Sequence, residues 1–306
     1  MVMEYPRDQM QFDKSFSSEN NCVKYLIEVK WPLGFKCDKC NATDYWLLSR
    51  KRLKCKKCAT IVTITSKTFF DQTNKSLSLW FRAIWWMIAQ KNGVSASGLQ
   101  SILGIGSYKT AWVWLHKLRT LMTFPNREKL SGKVEIDETY VGGASEGKRG
   151  RGSENKSLVI IAVELLPKGT GRVRLQIIPT AEGKHLLKFI RENVETETTI
   201  VTDGWTGYTQ LNKKGYVHIK QKQAGATTDE EMLPNVHRIA ALLKRWLLGT
   251  HQNYTSHERL QKYLDEFTFR YNRRKSNSRG LLFHRIIEQA MCRKPILSLD
   301  VLKNKI

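Results

Sequence analysis

The chain has 306 residues, enough for one large domain and one or two small ones, and its 51 Lys and Arg against 28 Asp and Glu give a net charge of +23. A charge of that size predicts a polyanionic partner, nucleic acid before membrane, because no run of 18 apolar residues exists and the N-terminus has no signal-peptide grammar. Secretion and membrane spanning are excluded as expectations, and two isolated cysteines, Cys22 and Cys292, read as buried thiols in a reducing, cytoplasmic compartment.

After a short N-terminal segment (1–19), residues 20–68 carry CxxC at Cys37/Cys40 and at Cys55/Cys58, with fourteen residues between the pairs. Each CxxC aims two thiolates at one point and the interval holds one hairpin, so the segment predicts a zinc ribbon with one structural Zn²⁺. Paired redox CxxC motifs are the alternative, but the surrounding βαβ pattern is missing. Asn41 suits the positive φ that such a turn requires. The lysines and arginines here (Lys36, Lys39, Arg50, Lys51, Arg52, Lys54, Lys56, Lys57) are either phosphate contacts or a solvated face.

Residues 75–124 switch to helical period. LSLWFRAIWWMIAQ has a broad apolar face that makes Trp80, Trp85 and Trp86 core residues, and Asn92-Gly93 signals its end. VSASGLQSILGI, a glycine turn and YKTAWVWLHKLRTLM then form helix-turn-helix grammar, with Ser107 as N-cap. Tyr108, Lys109 and Thr110 would meet base edges if the second helix is a recognition helix; three-helix packing without DNA is the competing reading.

Pro125 and NREKLSGK mark a boundary, and 130–290 reads as a mixed α/β domain followed by a tail, 291–306. VEIDETYV, LVIIAVEL and RVRLQIIPT are three strands close enough to pair antiparallel; EGKHLLKFIRENV is a crossover helix; TTIVTDGW and YVHIKQ are strands four and five. This is the ribonuclease H-like order, in which the first and fourth strands are neighbours. Their ends carry Asp137 and Asp203, so either each aspartate caps a turn or the two converge on a metal. Bare carboxylates about 4 Å apart repel by ~4 kcal/mol at intermediate dielectric, which a divalent cation relieves. GGASEGKRGRGSENK, with Lys148, Arg149 and Arg151, reads as a basic loop near that point. After Pro234 the helix VHRIAALLKRWLLG puts His237 and Lys244, two turns apart, on one face. Residues 244–294 hold twelve Lys or Arg against four Asp or Glu, and supply Lys244, Arg245, Arg273 and Arg274 as candidate phosphate contacts.

WPLGFKCDKC, LGIGSYKTAWVWLHKLR, VEIDETYVGG, GKRGRGSENKSLVIIAVE, TDGWTGY and LLKRWLLGTHQNYTSHERLQKYLDEFTFRYNRR together resemble bacterial DDE-type insertion-sequence transposases with a zinc ribbon, of the insertion sequence 1595 family. The resemblance spans nearly the whole chain. It implies a multidomain α+β protein with a five-stranded mixed sheet that binds terminal inverted repeats and target DNA, acts in the bacterial cytoplasm at the nucleoid, and assembles as a dimer or larger synapse. It also implies two catalytic Mg²⁺ or Mn²⁺ ions on Asp137, Asp203 and His237, with Lys244 beside them. His237 stands where most such enzymes have glutamate, and imidazole suits Mn²⁺ better than Mg²⁺. Alternatively His237 binds a phosphate and Asn235, Glu230 or Glu231 completes the site. The other function classes that fit are a domesticated, DNA-binding regulator and a stand-alone nuclease or junction resolvase.

Overall fold

The computed structural model describes residues 5–49, 51–124, 127–142, 156–221, 233–252 and 256–304. Arg50, Lys148, Arg149, Arg151, Glu230 and Glu231 lie outside the described residues. The chain divides into two compact units, residues 1–121 with 276–306, and residues 122–275. No described helix is long and apolar enough to cross a membrane.

The first unit begins with two helices that the sequence reading left unassigned, α1 (Gln9–Ser15) and α2 (Glu19–Lys30), capped by the side chains of Asp8 and Ser18. The ribbon follows as three antiparallel strands in the order β1 (Tyr45–Leu48), β2 (Arg52–Cys55), β3 (Ile61–Thr63). Next come α3 (Leu77–Ala89), α4 (Ala96–Leu103) and α5 (Tyr108–Thr120). Ser76 and Ser95 cap α3 and α4, and Gly104 closes α4 at φ +61°, a left-handed turn that glycine adopts without steric cost. Helix α3 stops a turn before Asn92-Gly93. Ser107 sits at the N-cap position of α5 but makes no side-chain capping bond.

The second unit holds β4 (Lys133–Gly142), β5 (Lys156–Leu165), β6 (Thr170–Ile178), α6 (Gly183–Asn193), β7 (Thr199–Thr202), β8 (Val217–Lys220), α7 (Pro234–His251) and α8 (His257–Asn272). The sheet order is β6-β5-β4-β7-β8, with β4 antiparallel to β5 and parallel to β7. That is the ribonuclease H-like order. Strand alternation divides the core: Val134, Ile136, Ile160 and Ala162 pack against α6, whereas Val141, Val159, Ile161 and Val163 pack against α7 and α8.

The final helices, α9 (Arg279–Cys292) and α10 (Ser298–Leu302), correct the expected boundary at 290. They pack with the first unit because α9 supplies the centre of its aromatic core: Phe283 is fully buried against Phe12, Phe16, Tyr25, Phe81 and Trp85. Gly280 permits the approach, since a Cβ there would collide with the Pro6 carbonyl oxygen. The expected tail is also structured, with Val301 of α10 buried. Cys22 is buried as expected; Cys292, the last residue of α9, is exposed.

Candidate functional site

The four ribbon cysteines converge. Their Sγ atoms all lie within 4.8 Å of one another, with Cys37 to Cys58 and Cys40 to Cys55 each 3.5 Å. Four sulfurs at this spacing suit a tetrahedral zinc with Zn–S bonds of about 2.3 Å. Two equivalent turns build the cluster. Asn41 N–H donates to Cys37 O and Ala59 N–H to Cys55 O, and both donors adopt φ of 58°. The Asn41 turn is legible in sequence; its twin at Ala59 is not, because alanine carries no left-handed signal.

In the second unit, β4 presents Glu135 and Asp137 on the face that meets α7. The Glu135 carboxylate is buried and accepts from Asn235 N–H (3.0 Å), Val236 N–H (2.9 Å) and Asn235 Nδ2 (2.8 Å). It therefore fills the N-terminal donor set of α7, where a negative charge also meets the positive end of the helix dipole. Two residues further along both elements, His237 Nε2 lies 3.3 Å from Asp137 Oδ2. Asn235, a candidate third ligand by sequence, is thus engaged in holding the helix, and His237 is the α7 side chain beside Asp137.

Burial pushes the Asp137 carboxyl above the usual range; Asp203 adds to that rise, while the Glu138 N–H, 2.8 Å from Oδ1, and His237 oppose it. Asp203 follows β7 and is exposed. Its Oδ1 accepts the Trp205 N–H at 2.9 Å around Gly204, whose φ is +86°. This aspartate caps a turn, as one sequence reading expects, and it also acts electrostatically on Asp137. Among the described residues, the cysteines form the group with all ligand atoms inside 4.8 Å; Asp137, Asp203 and His237 are spread more widely. Two carboxylates and an imidazole nevertheless make a donor set suited to Mn²⁺ and acceptable to Mg²⁺, and the mutual repulsion of the aspartates is what such a cation removes.

Glu138, on the opposite face of β4, accepts a hydrogen bond from the buried Tyr208 hydroxyl. The sequence reading missed Glu135, Glu138 and Tyr208; the alternating acids of VEIDE were the available signal. Lys244 and Arg245 are exposed on α7. Arg273 stacks on Phe124 and Phe269, and Arg274 stacks on Tyr271 while donating to the Gly171 and Thr170 carbonyls. These last two are not brought to the aspartates. In the first unit, Tyr108 and Lys109 are exposed and Thr110 half-buried at the start of α5.

Residues 129–272 match the ISXO2-like transposase domain and residues 17–60 the transposase zinc-ribbon domain. A protein of the transposable element ISH50 from Halobacterium salinarum is 25% identical over 276 residues, covering 84% of this chain and 92% of its own. Among solved structures, the Mos1 transposase paired-end complex with left transposon end is 13% identical, with 62% of this chain and 73% of that one covered at a TM-score of 0.28. The Mos1 strand transfer complex is 11% identical, with 69% and 74% covered at 0.28. Together the two domain matches cover more than half of the sequence, in the order that the ribbon and the five-stranded sheet occupy in the fold, and the chain belongs to the zinc-ribbon transposases of the insertion sequence 1595 family.

Proposed function

We propose that this transposase binds the terminal inverted repeats of its own element and carries out metal-dependent strand cleavage and strand transfer, as a DDE-type enzyme with histidine in the third position. The observation that carries the reading is the placement of Asp137 between Asp203 and His237, at the neighbouring parallel strands β4 and β7. When bound there, two divalent ions supply activation of the attacking oxygen and stabilisation of the leaving one.

The protein's share is positional. Asp137 and Asp203 gather negative charge at one end of the sheet, and His237 adds a nitrogen donor from α7. Glu135 fixes the register of that helix on β4. Lys244, two turns further along α7, holds a flanking phosphate as a point charge. The ribbon cations and the α5 N-terminus with Tyr108, Lys109 and Thr110 contact the ends. Pairing of two ends calls for at least a dimer. A broad cleft on the α6 face runs beside Trp205 and is lined by Lys156, Lys184, Lys188, Arg191 and Lys214, a second surface suited to phosphate backbones.

The test is cleavage and strand transfer on DNA carrying the element's own ends, with Mg²⁺ and Mn²⁺ compared. Asp137→Ala and Asp203→Ala are expected to abolish both reactions while leaving end binding intact. Variants that still cut, or that lose binding alone, contradict the assignment.

A further inference from the structure

A second site lies in the unit 122–275, away from the aspartates. A pocket of about 330 Å³ is formed by the chain entering β4, the edge strand β6 and the C-terminal half of α8. Four arginines line it, Arg127, Arg172, Arg174 and Arg273, together with the acids Glu128 and Asp265. Strand order and sheet face set it apart from the metal site. Arg174 lies on the edge strand β6 and pairs with Ala162 of β5, whereas Asp137 lies on β4, two strands away, and pairs with Ile161, which faces the other side of the sheet.

Arg174 is the critical residue. It is only 3% exposed, and its guanidinium donates to two main-chain carbonyls, Val173 O (3.0 Å) and Glu128 O (2.6 Å), while its buried Nε has no partner. The acid that acts on it, Glu164, is committed to Arg172 at 2.7 Å, and Glu128 also pairs with Arg172 at 2.9 Å. Burial and the charges of Arg127, Arg172 and Arg273 push the Arg174 pKa down to about 10. Asp265 acts on Arg127 instead: burial pushes its carboxyl up, and its Oδ1 accepts from Gln261 at 3.1 Å. A buried guanidinium held by carbonyls alone, with three more beside it, is costly unless an anion joins it.

We propose that this pocket is an oxyanion site that takes one tetrahedral phosphate group, as free phosphate or as a phosphodiester of a nucleic-acid backbone. Planar guanidinium forks match phosphate oxygens, and stacking of Arg273 between Phe124 (5.1 Å) and Phe269 (4.1 Å) presets its plane. Arg127 and Glu128, both exposed, form the mouth.

The experiment uses the full, zinc-loaded chain and inorganic phosphate, with thermal unfolding and calorimetric binding compared against chloride at equal ionic strength. Phosphate is expected to raise the unfolding midpoint, and Arg127→Ala and Arg273→Ala each to weaken phosphate binding about tenfold or more. Arg127 also donates to Asn193 Oδ1 at 3.1 Å, so the midpoint of Arg127→Ala in chloride serves as its own baseline, and Asp137→Ala should keep the full phosphate response. Equal midpoints in phosphate and chloride, or variants that respond like the parent, overturn the site. A duplex lacking the element's ends separates the sources. Weaker duplex binding by Arg127→Ala, together with competition by phosphate, assigns a backbone phosphodiester; unchanged duplex affinity with a lost phosphate response assigns free phosphate. None of these readouts depends on cleavage, so the site stands or falls apart from the transposition chemistry.

Discussion

Glu135 accepts both the main-chain and the side-chain N–H of Asn235, and this pair is what sets α7 on β4. With residue 135 opposite 235, residue 137 falls opposite 237, and Asp137 and His237 meet at 3.3 Å. A buried carboxylate with three N–H donors thus acts as a spacer for a site it does not enter.

Glu135→Ala leaves the α7 N-terminus uncapped inside the protein, at a cost of roughly 2–4 kcal/mol in stability, since several donors lose their partner together. Cleavage should fall further than folding does. Glu135→Gln keeps one carbonyl acceptor and should recover most of the stability. A denaturant titration of the three proteins beside a cleavage assay checks the order; an inactive but equally stable Glu135→Ala protein would show that Glu135 acts by another route.

His237→Glu replaces a nitrogen donor by a carboxylate in the same place. The expected outcome is Mg²⁺-supported cleavage retained or raised and the Mn²⁺ preference reduced, because hard cations favour oxygen. Unchanged activity in both His237→Ala and His237→Glu would move the third ligand to Asn235, Glu230 or Glu231.

Asp137 sets a pH dependence in the metal-free protein. Its folded-state pKa is raised, foremost by burial, so the native state holds a proton that the unfolded chain has released at the same pH. Its contribution to stability therefore falls as pH rises from the unfolded value of 3.8 through the raised folded value, and the penalty persists at neutral pH. Asp137→Asn should stabilise the metal-free chain at pH 7, with the gain shrinking toward pH 4, while abolishing cleavage. Urea midpoints at the two pH values measure this; a gain of equal size at both would contradict it.

Removing zinc should unfold β1 to β3 while the five-stranded sheet keeps its protection, since a three-stranded ribbon has little core beyond Phe35, Leu53, Ile64 and the cysteines Cys37 and Cys55. Amide exchange with and without a chelator reads both parts at once. Ala59→Gly relieves a left-handed alanine and should strengthen the ribbon by about 0.5–1 kcal/mol.

Gly280→Ala tests the assignment of α9 to the first unit. The added methyl collides with the Pro6 backbone, so a loss on the order of 1–3 kcal/mol is expected, with exchange rising in α1 and α9. Protection unchanged in α1 would mean that the contact is not maintained in solution.

The sequence by itself determined the parts whose signals are local. CxxC spacing, hydrophobic period, the glycine turn of α4 and α5, and the order of strands and crossover helix were enough for the ribbon, the helical segment and the sheet topology. Strand order alone also put Asp137 and Asp203 on neighbouring strands. Only the tertiary structure decided which side chain of α7 faces Asp137, because helix register on a sheet is fixed by a contact across a hundred residues, Glu135 to Asn235. It likewise decided that α9 returns to the N-terminal unit through Phe283 and that four arginines share one pocket. Such outcomes depend on burial and on distant partners, and neither is carried by periodicity.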